Sequence, residues 1–194
     1  MMALARSDLW SLEQYSEKRA AFRAEVIAHK KHRRVDLNEH ARLLFEDEKT
    51  IRYQIQEMLR IEKVFEAAGI QEELDAYNPL IPDGNNWKAT FMLEYDDVDE
   101  RKQMLEKLIG VEDQVWVQIG DFDKVYAIAD EDLERENDVK TSSVHFLRFE
   151  FTPDMISAAK GGDAIVIGCD HPHLSTDGIT LSGDSRESLV GDFG

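Results

Sequence analysis

Six consecutive residues, His29 to Arg34, read HKKHRR: four cations and two histidines in a chain whose formal net charge is −17. Two chemistries fit that composition. Arg33 and Arg34 offer planar guanidinium forks, and Lys30 and Lys31 point charges, to a phosphate or carboxylate. The same cations at a helix end would instead complement the macrodipole and the last free carbonyls, at roughly 0.3–1 kcal/mol each. On a helical wheel, at about 100° per residue, Glu25, His29 and His32 project close together. His29 and His32, at i and i+3, then form half a zinc or iron site that another element would have to close.

Further candidates lie downstream. In DEKTIRYQIQEMLRIEKVFEAAG, Ile51, Ile55, Met58 and Phe65 recur at helical spacing, and Glu62 falls within that stripe. A carboxylate there is expected to be buried, either in a structural pair with an arginine or as an acid/base group with a raised pKa. Tyr53, Glu57 and Arg60, with Gln54 nearby, form a polar–aromatic face on the opposite side. CDHPH, Cys169 to His173, holds four potential ligands at a strand end, of which Asp170 and His171 are the metal candidates; a surface turn is the simpler reading. His145 alternates with Leu147, Phe149 and Phe151 as a core histidine would, and Arg148 with Glu150 is expected to form a structural pair. Neither Glu57 nor Glu62 begins a Glu-x-x-His motif, which excludes a ferritin-like di-iron centre. A glycine-rich phosphate loop, a nucleophile elbow and a Cys-His dyad are absent.

The elements that must position these residues are legible in the pattern. Ser11 with Gln14 three residues on is a capping-box start for a helix running to about His32. RVDLNEHARLLFED reads as a hairpin turning at Asn38-Glu39. The second helix is expected to stop at Gly69, followed by a short helix over IQEELDAY and a loop at NPLIPDGNN. From Trp87 the period becomes two, with Trp87, Ala89, Phe91, Leu93 and Tyr95 on one face. An acidic helix, DVDERKQMLEKLIG, precedes QVWVQIG and KVYAIAD, two strands of a hairpin. SSVHFLRFEFT and DAIVIGCD are further strands, separated by a short helix from Pro153 to Gly161-Gly162. The fold class is α+β: two N-terminal helices with a short hairpin, packed on a mostly antiparallel sheet of about five strands. Residues 1–172 form one domain, and 173–194 read as a loosely ordered tail with a terminal helical turn.

Composition narrows the partners. A pI near 4.7 argues against a general nucleic-acid or anionic-membrane binder. One cysteine, Cys169, excludes an internal disulfide and thiolate-only metal sites. No apolar leader and no run of about 18 apolar residues occurs, so a cytoplasmic location is expected. Oligomeric state is left open.

Several stretches together, VIAHKKHRRV, FEDEKTIRYQIQEMLRIE, LDAYNPLIPDGNNWKATFMLEY, DKVYAIADEDLER, VHFLRFEFTP and GCDHP, resemble a bacterial family catalogued as a domain of unknown function. The resemblance spans about Ser7 to Pro172. It implies a gene neighbourhood with rubrerythrin and a cysteine-rich iron–sulfur protein, hence a role in redox or peroxide defence. It also implies a histidine at His29 without one at His32, which favours anion binding over a His29/His32 metal pair. Two functions are therefore expected. The first is an accessory protein of a rubrerythrin-type system, acting by protein–protein contact through its acidic surface and the Tyr53/Glu57/Arg60 face, without a cofactor. The second is an enzyme or binding protein for a small anionic ligand. There Lys30, Lys31, Arg33, Arg34, Arg60 and Lys88 hold the anion, Glu57 or Glu62 acts as acid/base, and Tyr53 orients the substrate. That second reading predicts a closed pocket where the first helix end, the second helix and the Trp87 strand meet. A version dependent on divalent Fe or Zn would use His29, Asp170 or His171.

Overall fold

The computed structural model describes residues 3–194 apart from positions 134, 138 and 175. Ser11 starts α1 (Leu12–Lys30): its Oγ accepts the Gln14 N–H, and Gln14 Oε1 accepts the Ser11 N–H. The helix ends two residues before His32. The predicted hairpin follows as β1 (Arg34–Asp36) and β2 (Ala41–Phe45), its turn held by Asn38 Oδ1 accepting the His40 and Ala41 N–H groups.

Asp47 caps α2 (Glu48–Ile61) by accepting the Thr50 N–H. This helix stops well before Gly69. Lys63 adopts φ +55°, the Val64 N–H reaches the Leu59 carbonyl and the Lys63 N–H the Arg60 carbonyl, and Val64 packs on the Leu59 cluster. These are the two bonds and the apolar contact of a Schellman stop, with lysine where glycine is usual. Gly69 lies instead inside α3 (Ala67–Tyr77).

The period-two run forms β3 (Asn86–Leu93), with Trp87, Ala89, Phe91 and Leu93 all buried. The remaining elements are α4 (Val98–Lys107), β4 (Val115–Ile119), β5 (Val125–Tyr126), β6 (Ile128–Ala129), β7 (Val144–Glu150), α5 (Pro153–Gly161), β8 (Ile165–Cys169), β9 (Ile179–Thr180) and α6 (Gly183–Val190). The fold is α+β, with two sheets rather than one. One has five strands in the order β1-β2-β3-β7-β6, the other four in the order β5-β4-β8-β9, and every pairing is antiparallel. KVYAIAD divides between them: β5 pairs with β4, and β6, two residues later, pairs with β7.

The main core lies between the sheets and takes Leu105, Ile156 and Leu189 from α4, α5 and α6. Residues from 173 onward, read from sequence as a loose tail, contribute Leu174, Leu181, Leu189 and Phe193 to it. Trp87 stacks on Phe193 and donates its indole N–H to the Leu189 carbonyl at 2.9 Å. The outer face of the five-stranded sheet looks toward α2 and α3, whose own core (Ile51, Ile55, Leu59, Leu74) is separate. Among the described residues no helix is long and apolar enough to cross a membrane.

Candidate functional site

Successive N–H groups of Lys31, His32 and Arg33 bond carbonyls three residues back, tightening the end of α1. That winding turns Arg33 inward, where it is 1% exposed. Its guanidinium donates to the Phe45 and Glu46 carbonyls, to Ser188, and with both terminal nitrogens to Asp192 (2.5 and 3.2 Å). Asp47 stands 3.4 Å from its Nε and 2.5 Å from His29 Nε2. Burial pushes the Asp47 carboxyl up, but Arg33, the Thr50 amide and His29 together hold it below the usual range; Asp192, more dominated by burial, is pushed up.

The expected anion site is thereby corrected. Arg33 has no donor left for a ligand, and Arg34 is exposed and clasps Asp36 in a fork. Lys31 is exposed at the helix end, and Arg60 is exposed in the last turn of α2. His29 serves Asp47 rather than a metal, while His32 points to Asp184 at 3.6 Å.

Glu62 is corrected as well. Because α2 ends at Ile61, Glu62 leaves the stripe and is exposed, as is Phe65. Glu57 accepts a fork from Arg19 (2.7 and 2.9 Å) and the Tyr15 hydroxyl (2.6 Å). Arg19 above all, against the cost of burial and with help from Tyr15, brings its pKa down to about 2. Tyr53 packs edge-on to Phe22 beneath Lys30. The Tyr53/Glu57 face is thus the seam between α1 and α2, with neither residue placed as acid/base.

The CDHPH ligands do not converge. Asp170 accepts from Tyr126, Lys124 and the Trp116 indole, and His171 Nε2 bonds the Ile109 carbonyl. The Cys169 thiol is buried and pushed up to about 11. Gly168 is required beneath Trp116, since a Cβ there would come within 2.4 Å of the indole ring. The set that a divalent ion would use is elsewhere: Glu112, Asp130 and His145 bring one ligand atom each within 4.8 Å of one another. His145 Nδ1 meets Asp130 at 2.6 Å, and Nε2 meets Thr141 Oγ1 at 2.9 Å and the Ser142 carbonyl at 3.1 Å. Hydrogen bonds already occupy both ring nitrogens, and the triad ties the chain around Asp130 to β7.

One region brings unspent polar groups together. Between α2–α3 and the outer face of the five-stranded sheet lie two hollows of about 610 and 290 Å3, which share Tyr77, Leu80 and Phe146 as walls. Lys88 stands in the larger with Met58 and Pro79; its Nζ donates to the Pro79 carbonyl at 2.5 Å, and burial pushes its pKa down. Arg148 is spent on Glu131 and Glu150, the expected pair plus one. The smaller hollow holds Lys30, Gln54, Thr50, Thr90 and the carboxylate of Glu46, which is 8% exposed. First helix end, second helix and Trp87 strand do meet here, but around an open groove rather than the closed pocket expected. Of the predicted ligand residues it gathers Lys30 and Lys88 alone. Glu46 was missed because a glutamate following a strand has no distinguishing pattern; only its placement outward on a sheet roofed by helices marks it.

Comparison with known proteins adds kinship without chemistry. The family described as "Protein of unknown function (DUF3501)" matches residues 3–193. A crystal structure described as a novel protein of unknown function, from Burkholderia pseudomallei K96243, shares 52% identity with a TM-score of 0.94 over 100% of both chains. No curated protein matches.

Proposed function

The chain belongs to the DUF3501 family, and we propose that it binds a small molecule with an apolar body and an anionic group in the groove between α2–α3 and the five-stranded sheet. One observation carries this reading. Lys88, half-buried in a mainly apolar hollow of about 610 Å3, makes no ion pair among the described residues. An ammonium so placed has lost water with no carboxylate in contact, Asp83, Glu131 and Glu150 favouring its charge only from beyond ion-pair distance, and an anion supplied by a ligand would offset that cost. The reaction, if any, is left open by this arrangement, because no nucleophile–base pair faces the hollow among the described residues. The test is titration calorimetry with octanoate and octanol on the full chain. Octanoate should bind several-fold more tightly, and Lys88→Met should erase the difference; equal affinities in the unaltered chain sink the reading.

A second reading is favoured by Ile61 and Phe65, 63% and 70% exposed at the α2–α3 corner beside a small apolar hollow that includes Leu9 and Val64. Such a patch suits protein contact, and the family resemblance supplies the partner class: a cytoplasmic rubrerythrin-type redox or peroxide-defence system with its iron–sulfur protein. Co-sedimentation with a rubrerythrin at micromolar concentration, weakened by Phe65→Ser, is expected; chains that sediment separately refute it.

A further inference from the structure

Glu46 and Lys88 are neighbours that decline to pair. Phe45 stands opposite Ala89 in the ladder, and the Glu46 N–H donates to the Lys88 carbonyl at 2.8 Å, carrying the pairing one residue further. The two side chains therefore leave the same face of the sheet with Cβ atoms about 5 Å apart, where opposite charges ordinarily meet. They turn away from each other. Glu46 accepts from Thr50 Oγ1 at 2.5 Å and Thr90 Oγ1 at 2.6 Å, while Lys88 reaches the Pro79 carbonyl. Each Glu46 oxygen thus has a neutral hydroxyl donor, and among the described residues none has a cation. Two hydroxyls satisfy hydrogen bonding without neutralising the charge, and Lys30, which lines the same hollow, makes no ion pair with it, so a buried carboxylate is left without a contacting cation.

The rim of the groove points the same way. Glu73, Asp75, Glu131 and Asp132 line the larger hollow beside Lys88. A ligand that was anionic throughout would meet this rim with repulsion; one that also carries a cation would not.

We propose that the groove's ligand is a zwitterion whose anionic group meets Lys88 and whose ammonium meets Glu46, with an apolar spacer along Tyr77, Leu80 and Phe146. This rests on the groove being a ligand site, and names its substrate class. Side chains diverging from Cβ atoms about 5 Å apart place the two charges on the order of 10 Å from each other, too far for an α-amino acid and within reach of an ω-amino acid.

Calorimetric titration of the full chain with 8-aminooctanoate, octanoate and octylamine tests it. The expected result is that 8-aminooctanoate binds at least ten-fold more tightly than octanoate. Glu46→Gln, an isosteric change, should remove that preference by lowering 8-aminooctanoate affinity, and Glu46→Asp, which keeps the charge, should retain part of it. Octanoate binding as well as 8-aminooctanoate in the unaltered chain overturns the assignment of Glu46 and leaves the groove standing as an anion site. No binding of any of the three overturns both.

Discussion

The chain buries charge in two places that behave in opposite ways. Around Arg33 every donor is met: two backbone carbonyls, Ser188, Asp192 and Asp47 surround one guanidinium, and His29 closes the far side of Asp47. In the groove, Glu46 and Lys88 lie side by side and remain apart. Closed networks of this kind hold elements together, because removing one partner strands the others. In the groove Glu46 ties Thr50 of α2 to Thr90 of β3 through neutral hydroxyls alone, and under the proposed reading the two unmatched charges are left for a ligand. Within the cation-rich stretch Arg33 and His29 thus supply structure, whereas Lys30 lines the groove with Lys88 and Glu46.

The largest expected effect attacks the closed side. Arg33→Met leaves Asp192 and Asp47 facing each other without their cation, and should cost about 3–5 kcal/mol in urea denaturation. Adding Asp192→Leu should recover part of that loss. A cost below about 1 kcal/mol for the single change would erase the contrast.

An intermediate effect comes from the Glu57 staple between α1 and α2. Its folded pKa of about 2 lies below the ordinary carboxylate value of 4.5, so folding favours the ionised form. The stabilisation is present in full above about pH 4.5 and is lost as pH falls toward about 2. Thermal melts across that window should show Glu57→Gln declining less steeply than the unaltered chain; parallel slopes would show that the staple carries no linkage.

The smallest effect sharpens the open side. Glu46→Gln should change stability by no more than about 1 kcal/mol, or raise it, since it removes an uncompensated buried charge while keeping an acceptor for a hydroxyl. A loss above about 3 kcal/mol in the same denaturation would move Glu46 into the structural class.

Much of the fold is legible in local pattern. Ser11 and Gln14 announce α1, and the alternation from Trp87 announces β3, because caps and pleats are set by residues near one another in sequence. The misread boundaries share a cause. Lys63 occupies a left-handed position for which sequence suggests Gly69, and only the packing of Val64 on Leu59 makes that stop favourable. Leu181 and Phe193 stand singly among polar and glycine residues and Leu189 has only Val190 beside it, so nothing periodic reveals that they complete the core. The site suffers most from this limit. Whether a cation is spent or free depends on its partners, and Arg33 finds Asp192 159 positions away. Lys30 and Lys88, which line the groove, are singled out by the sequence; Glu46, whose place there comes from facing a roof of helices, is not.

That separation also sets an order in time. A ribosome adding roughly 5–20 residues per second needs on the order of 8–30 s to travel from Arg33 to Asp192. Through that interval the guanidinium has only the carbonyls of Phe45 and Glu46 and the carboxylate of Asp47 to hold it. Until the Asp192 segment emerges the Trp87 ring has Phe45 and Phe151 to pack on but neither the Leu189 carbonyl nor the Phe193 ring. For a chain built this way, the segment around Asp192 decides when the one around Arg33 is finished.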